Sequence, residues 1–234
     1  PIKLFEIGRI YLGQNKDLPE EREILAAIFR GPRTDEGWLG DNNEQGFFDA
    51  KGVVESLLRQ LGLSGTFRAI NEEFFHPNRV GEILIGEIPV GIVGEVHPVV
   101  LGEFASDGGI TAYIELDIQS LMNCVSTDRS AVRPLYKYPT SIRDLSILVD
   151  RHVTSSEVES VIRGTPLVDK AILFDAYDGE GIPTGKSSLA YRIYFQSPDK
   201  TLSSDEVGKA MDKVVRSLSH QLNATLRGRS VDAL

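Results

Sequence analysis

LFDAYDGEGIPTGKSSLAYRIYFQSPDKTLSSDEV, residues 173–207, reads as a strand, a glycine- and proline-marked loop, a second strand, a turn and a capped helix. The second strand alternates most cleanly. Leu189, Tyr191, Ile193 and Phe195 fall on one face, and Ser188, Ala190, Arg192 and Tyr194 on the other. A period of two with a polar second face marks a half-buried antiparallel strand. Ser203 stands three residues before Glu206, a capping box, and Val207, Met211, Val214, Val215, Leu218 and Leu222 then recur as one buried helical stripe. Further out, Thr154 and Glu157 form a second capping box. The helix it opens carries Val158, Val161 and Ile162 and stops at Gly164. A strand over 145–149 precedes that helix, a strand over 168–177 follows it, and a short strand near 224–227 closes the chain. The order βαββαβ is the ferredoxin-like split unit: a four-stranded antiparallel sheet with both helices on one face and the other face open.

The chain has 234 residues, enough for one large or two modest domains. With 41% hydrophobic and 25% charged residues it has an ordinary globular composition. No apolar run approaches the roughly 20 residues of a membrane helix, and the start lacks a signal-peptide layout. A single cysteine, Cys124, excludes an internal disulfide and a multi-cysteine zinc site, and points to a reducing, intracellular setting. The chain opens at Pro1 on the threshold of a strand, as expected of a piece of a longer protein. Residues 135–234 hold 13 acidic and 13 basic side chains, whereas residues 1–134 hold 21 and 12, so the first part carries the whole net charge of −9. Neither part has the basic footprint usual in nucleic-acid binding. A neutral domain can still take a small RNA loop through local contacts when other surfaces supply the attraction.

The first part is mixed. Strands are expected over 2–12 and 23–30, and a helix over 48–61 with Val53, Val54, Leu57, Leu58 and Leu61 on its apolar side. A hairpin over 79–85 and 90–96 turns about Gly86 and Glu87, followed by a short helix from Pro98 and a strand over 112–116. That is an α+β layout, an antiparallel sheet with packed helices. The polar, proline-marked segment between Met122 and Pro139 has no periodicity and reads as a linker. The division is therefore 1–122, a linker at 123–138, and the ferredoxin-like domain at 139–234.

Seven blocks in order carry a family resemblance. LFEIGRIYLG near the start, FFDAKGVVESLLRQLGL from Phe47, HPNRVGEI from His76 and GIVGEVHPVVLGEF from Gly91 are similar to consecutive blocks of the bacterial phenylalanyl-tRNA synthetase β subunit. YPTSIRDLSILVD, FDAYDGEGIPTGKSSLAY and the late TLRG resemble its ferredoxin-fold anticodon-binding domain. The resemblance implies that residues 1–122 are an N-terminally truncated, catalytic-like but non-catalytic module with a class II synthetase fold. It implies a cytoplasmic heterotetramer of two α and two β chains that uses ATP and magnesium to join phenylalanine to tRNA(Phe), with the fragment itself holding no cofactor and touching no membrane. Adenylate chemistry would belong to the α subunit. Consistent with this, Arg9 could imitate one ATP-binding arginine, but AYIELDIQSL lacks the glycines and arginine that a class II site needs. The resemblance further implies that Ser146, Asp175, Tyr177, Ser188 and Arg227 contact the anticodon, chiefly its first base.

Those five residue types suit the task on chemical grounds. An aromatic can stack, a carboxylate and hydroxyls can meet base edges, and an arginine can take a phosphate or a base. Asp175 and Tyr177 share parity on one strand and Ser188 and Arg192 on the next. Other chemistry-bearing residues have plainer readings. His76 and His97 each precede a proline, and despite Glu95 nearby they match no metal spacing, so turn and interface roles are expected. Asp41, Glu44 and Asp49 read as loop and helix-start charges. Gly179, Gly181 and Gly185 are followed by a strand, which argues for a mobile loop and against a phosphate loop. Cys124 reads as a free thiol in the linker. The alternative from another class is a ligand-sensing regulatory protein that binds a small molecule at strand–helix loops and dimerises through its helices.

Overall fold

A computed structural model describes residues 1–13, 18–34, 43–104, 108–125 and 137–227. The chain folds as two compact units, Pro1–Ala131 and Val132–Leu234.

The first unit runs β1 (Ile2–Leu12), β2 (Glu20–Arg30), α1 (Phe47–Gln60), β3 (Thr66–Ala69), β4 (Phe75–Ile85), β5 (Ile88–Val96), α2 (Pro98–Phe104), β6 (Thr111–Asp117) and α3 (Ile118–Cys124). Its strands form one antiparallel sheet in the order β1-β2-β6-β5-β4-β3. Helix α1 buries Ala50, Val54 and Leu58 against Ile83, Val90, Val93, Ile114 and Leu116 of the sheet. The stripe expected on α1 is thus rotated, because Val53 is 45% exposed and Ala50 takes the inner position. Two elements escape the sequence. Strand β3 is four residues long, too short for alternation to register. Helix α3 starts where Asp117 accepts a hydrogen bond from the Ser120 amide at 2.8 Å, and it extends two residues into the expected linker. Cys124 is accordingly the last residue of α3, packed against the core, and not a linker thiol.

The second unit runs β7 (Ser141–Asp150), α4 (Ser155–Arg163), β8 (Val168–Tyr177), β9 (Lys186–Phe195), α5 (Ser204–Leu222) and β10 (Thr225–Leu226). The sheet order β10-β7-β9-β8 is antiparallel throughout, the topology of the βαββαβ unit. Both capping boxes form, with Thr154 and Glu157 closing α4 and Ser203 and Glu206 closing α5. Each satisfies amides that a helix start leaves without partners. Val158 and Ile162 from α4, and Val207, Val214 and Leu218 from α5, pack on Leu145, Ile147, Val149, Leu189, Tyr191, Ile193 and Phe195. Burying each such side chain is worth about 1.5–3 kcal/mol. The Tyr191 hydroxyl, carried into this core, donates to the Ser155 carbonyl at 3.0 Å, and burial raises its pKa. Both helices therefore lie on the Leu189–Phe195 face, leaving the opposite face of the sheet to present function.

Candidate nucleic-acid interface

Strand register decides which side chains share the open face. Tyr177 pairs with Ser188 and Ser188 with Leu148, while Asp175 and Ser146 both pair with Ala190. The Arg227 amide donates to the Ser146 carbonyl at 3.0 Å, so Arg227 joins the row of Ser146, Ala190 and Asp175. All five sequence-nominated residues thus lie on two adjacent rows. Asp144, Arg192 and Ile172 form the next row, and Ile142, Tyr194 and Lys170 the one beyond.

This arrangement depends on an irregularity that alternation cannot show. The β8–β9 register shifts between Leu173 and Asp175, leaving Phe174 as an extra residue on an edge strand. Such a bulge re-aims side chains. It carries Ile172 and Asp175 to the same face despite their odd separation, and it places the Phe174 ring 5.3 Å from the Arg192 guanidinium carbon.

Tyr177 is 41% exposed, and its ring centre lies 5.6 Å from the guanidinium carbon of Arg227. Arg227 Nη1 donates to Ser188 Oγ at 3.1 Å. Ser188 is only 3% exposed and Ala190 8%, so the open face is not uniformly solvated. The hydroxyl of Ser188 lies beneath and fixes the arginine instead of standing free. The Tyr177 hydroxyl donates to the Glu180 carbonyl at 3.3 Å, tying the ring to the loop between β8 and β9. Gly179 allows this approach, since a Cβ there would stand 2.5 Å from the Tyr177 hydroxyl. Asp175 is exposed and Ser146 half-buried. The loop leads into β9, not a helix, so no strand-to-helix phosphate cradle exists there. Gly181 and Gly185 take positive φ of 85° and 82°, which glycine adopts without strain. An aromatic face under a held cation, beside an exposed carboxylate, is suited to a flat, electron-rich ring such as an unstacked base.

The first unit resolves its nominated residues differently. Glu95, 7% exposed, accepts from the Phe47 amide at 2.9 Å and from Arg79 Nη1 at 2.6 Å, so it closes the start of α1. The Nδ1 atoms of His76 and His97 accept from the amides of Asn78 and Val99 at 3.3 and 3.2 Å; His76 sits in the irregular start of β4 instead of the expected turn, and His97 directly precedes α2. Asp49 accepts from the Gly46 amide at 2.9 Å and pairs with Arg33, while Glu44 accepts from the Ile110 amide at 3.2 Å. Asp41 lies outside the described residues. Arg9 pairs with Glu21 at 3.3 Å on the surface.

Comparison with known proteins follows the same division. The ferredoxin-fold anticodon binding domain family matches residues 137–227, so the βαββαβ unit belongs to that class of domain. The phenylalanyl tRNA synthetase beta chain CLM domain family matches residues 1–118. The phenylalanine–tRNA ligase beta subunit of Geobacter sulfurreducens is 36% identical over 231 residues, 97% of this chain and 29% of that one. Those of Dehalococcoides mccartyi and Bacillus subtilis are each 34% identical over 97% of this chain and 28% of theirs. This chain belongs to the phenylalanine–tRNA ligase β-subunit family and spans under a third of the length of these relatives. The regulatory-protein alternative finds no support in these matches.

Proposed function

We propose that the open face of the second unit receives the anticodon loop of tRNA(Phe), and that Tyr177, Arg227, Asp175, Ser146 and Ser188 take its first base. One observation carries the proposal: the Tyr177 ring, 41% exposed, held beside an arginine that Ser188 fixes. In this reading Tyr177 stacks on the base and Asp175 accepts from its edge. Arg227 meets the ring or the adjoining phosphate, with Ser146 completing the row and Ser188 acting as positioning residue.

The first unit, in the same proposal, is a catalytic-like module of class II synthetase architecture that contributes to a cytoplasmic (αβ)2 assembly. An apolar groove of about 360 Å³, lined by Leu4, Phe5, Val53 and Leu57 among others, supports a subunit-contact role. Strand β1 beside it also exposes Ile7, Ile10 and Tyr11. ATP and magnesium would serve the ligase through the α subunit. Among the described residues, no group of three or more His, Cys, Asp or Glu side chains is placed to hold a metal ion. Strand β6 also offers no arginine to a nucleotide. Among those same residues no helix is long and apolar enough to cross a membrane.

Titrating the chain with a tRNA(Phe) anticodon stem-loop, and with one altered only at the first anticodon base, tests the proposal. Tighter binding of the unaltered loop is expected. Equal affinity for both would refute base reading at this face.

A further inference from the structure

We propose that the open face carries a second base-stacking position, formed by Phe174 and Arg192, which seats a further unpaired nucleotide of the same loop; this rests on the anticodon-loop reading above. Phe174 is 53% exposed on the edge strand β8. A lone exposed phenylalanine needs no explanation. This one has company that repeats the geometry of the first position.

Arg192 holds its guanidinium carbon 5.3 Å from the Phe174 ring centre, and Asp144 fixes that guanidinium through two hydrogen bonds of 2.8 Å each. At the first position Arg227 lies 5.6 Å from Tyr177 and is fixed by Ser188. Both are an edge-strand aromatic, a cation beside its ring, and a neighbouring side chain that orients the cation. Lys170 continues the series, with Nζ 5.9 Å from the Tyr194 ring centre on the next row. Three cation–aromatic pairs thus follow one line along β8 and β9, opposite the helices that fill the core.

The spacing fits a single RNA loop. Tyr177 and Phe174 are three residues apart on β8, at most about 10 Å at roughly 3.3 Å per residue. A stacked strand covers that in about three nucleotides at roughly 3.4 Å each, and a splayed loop in fewer. The chemistry at the two positions differs in one respect. Asp144 neutralises Arg192, so the second position offers a π-face with little net charge, whereas Arg227 keeps its charge for a phosphate. Stacking there is expected to tolerate any base and to depend weakly on salt.

The test uses the assembled ligase carrying this β chain and anticodon stem-loops with 2-aminopurine at one loop position at a time. Stacking on an aromatic quenches the probe. Phe174→Ala and Phe174→Leu should both relieve quenching at one position other than the first anticodon base. Each should weaken binding about 5- to 150-fold without changing its salt dependence. Tyr177→Ala should relieve quenching at the first base. Unchanged signals at every position in both Phe174 variants, with Tyr177→Ala still acting on the first base, would overturn the second position and leave the anticodon reading standing. No response to any of the three variants would overturn both. A Phe174 variant that alters subunit association and not RNA binding would make the ring a protein contact, and would equally overturn the inference.

Discussion

Arg227 and Tyr177 meet across the full width of a four-stranded sheet: Arg227 follows β10 at one edge and Tyr177 ends β8 at the other, yet guanidinium carbon and ring centre are 5.6 Å apart. The side chains bridge over β7 and β9, and this is possible because Ser188 and Ala190 beneath them are small. Arg227 covers the buried Ser188, while Tyr177 stays 41% exposed. The same contact sets a cation beside an exposed aromatic in a half of the chain that carries no net charge.

Removing either partner should damage RNA recognition and spare the fold. Tyr177→Ala is expected to lose roughly 1–3 kcal/mol of anticodon binding, the value of one stacked base. Arg227→Ala should weaken binding and, where the contact is to phosphate, reduce the salt dependence by about one counterion. Neither side chain belongs to the core cluster, so thermal unfolding of both variants should match the parent. Affinity measured across a salt series checks both expectations.

Gly179→Ala offers a subtler change. The new Cβ would lie 2.5 Å from the Tyr177 hydroxyl and 2.6 Å from Cζ. The ring can swing aside at small cost to stability but must leave its present position. Anticodon affinity should fall in the direction of Tyr177→Ala, though less far, while the melting temperature stays within a degree or two of the parent. Unaltered affinity would show that the ring's present placement does not matter.

The stability of the second unit should respond to acid through the α5 capping box. Lys200, followed by the Ser203 amide and hydroxyl, holds the Glu206 carboxyl down at about 2, below its ordinary value of 4.5. A depressed folded-state pKa gives stability that is present above about 4.5 and is lost as pH falls toward 2. Melting temperatures of the parent and Glu206→Gln should therefore differ most above pH 4.5 and converge near pH 2. A difference that stays constant across that range would contradict the role given to this carboxylate.

Most of the second unit is legible in the sequence because its signals are local. The capping boxes at Thr154 and Ser203 and the strict alternation of Leu189, Tyr191, Ile193 and Phe195 each state their own structure. All five nominated site residues share one face, as parity implies. Phe174 escapes sequence reasoning because a bulge adds a residue without changing composition, and alternation is blind to it. Ser188 looks solvent-facing in sequence because its cover comes from Arg227, 39 residues away. In the first unit the expected α1 stripe fails at Val53, since Ala50 gives periodicity little weight although it is fully buried. Asp117 at the start of α3 is hidden inside what reads as the end of a strand.

The chain by itself is expected to form no phenylalanyl-adenylate, because β6 supplies no arginine for a nucleotide. Phenylalanine-dependent exchange between ATP and pyrophosphate should stay at background in a clean preparation. Exchange above background would show that the first unit retains a working site.

The first unit should associate with an α subunit, or with itself in its absence. Phe5 on β1 is 73% exposed and lines the apolar groove, with Leu4 and Tyr11 on the same strand comparably open, and exposed apolar surface of this kind marks interaction sites. Sedimentation should show a complex with α that Phe5→Glu weakens. A strictly monomeric chain that ignores α would count against the assignment.

Chemical-shift mapping of the isotope-labelled chain with a tRNA(Phe) anticodon stem-loop bears most directly on the central claim, that the open sheet face receives the loop. The largest perturbations are expected at Ser146, Asp175, Tyr177, Ser188 and Arg227, with α4 and the solvent face of α5 unmoved. Perturbations confined to those helices, or to the strand–helix junctions, would place the ligand on the opposite side of the domain and contradict the account.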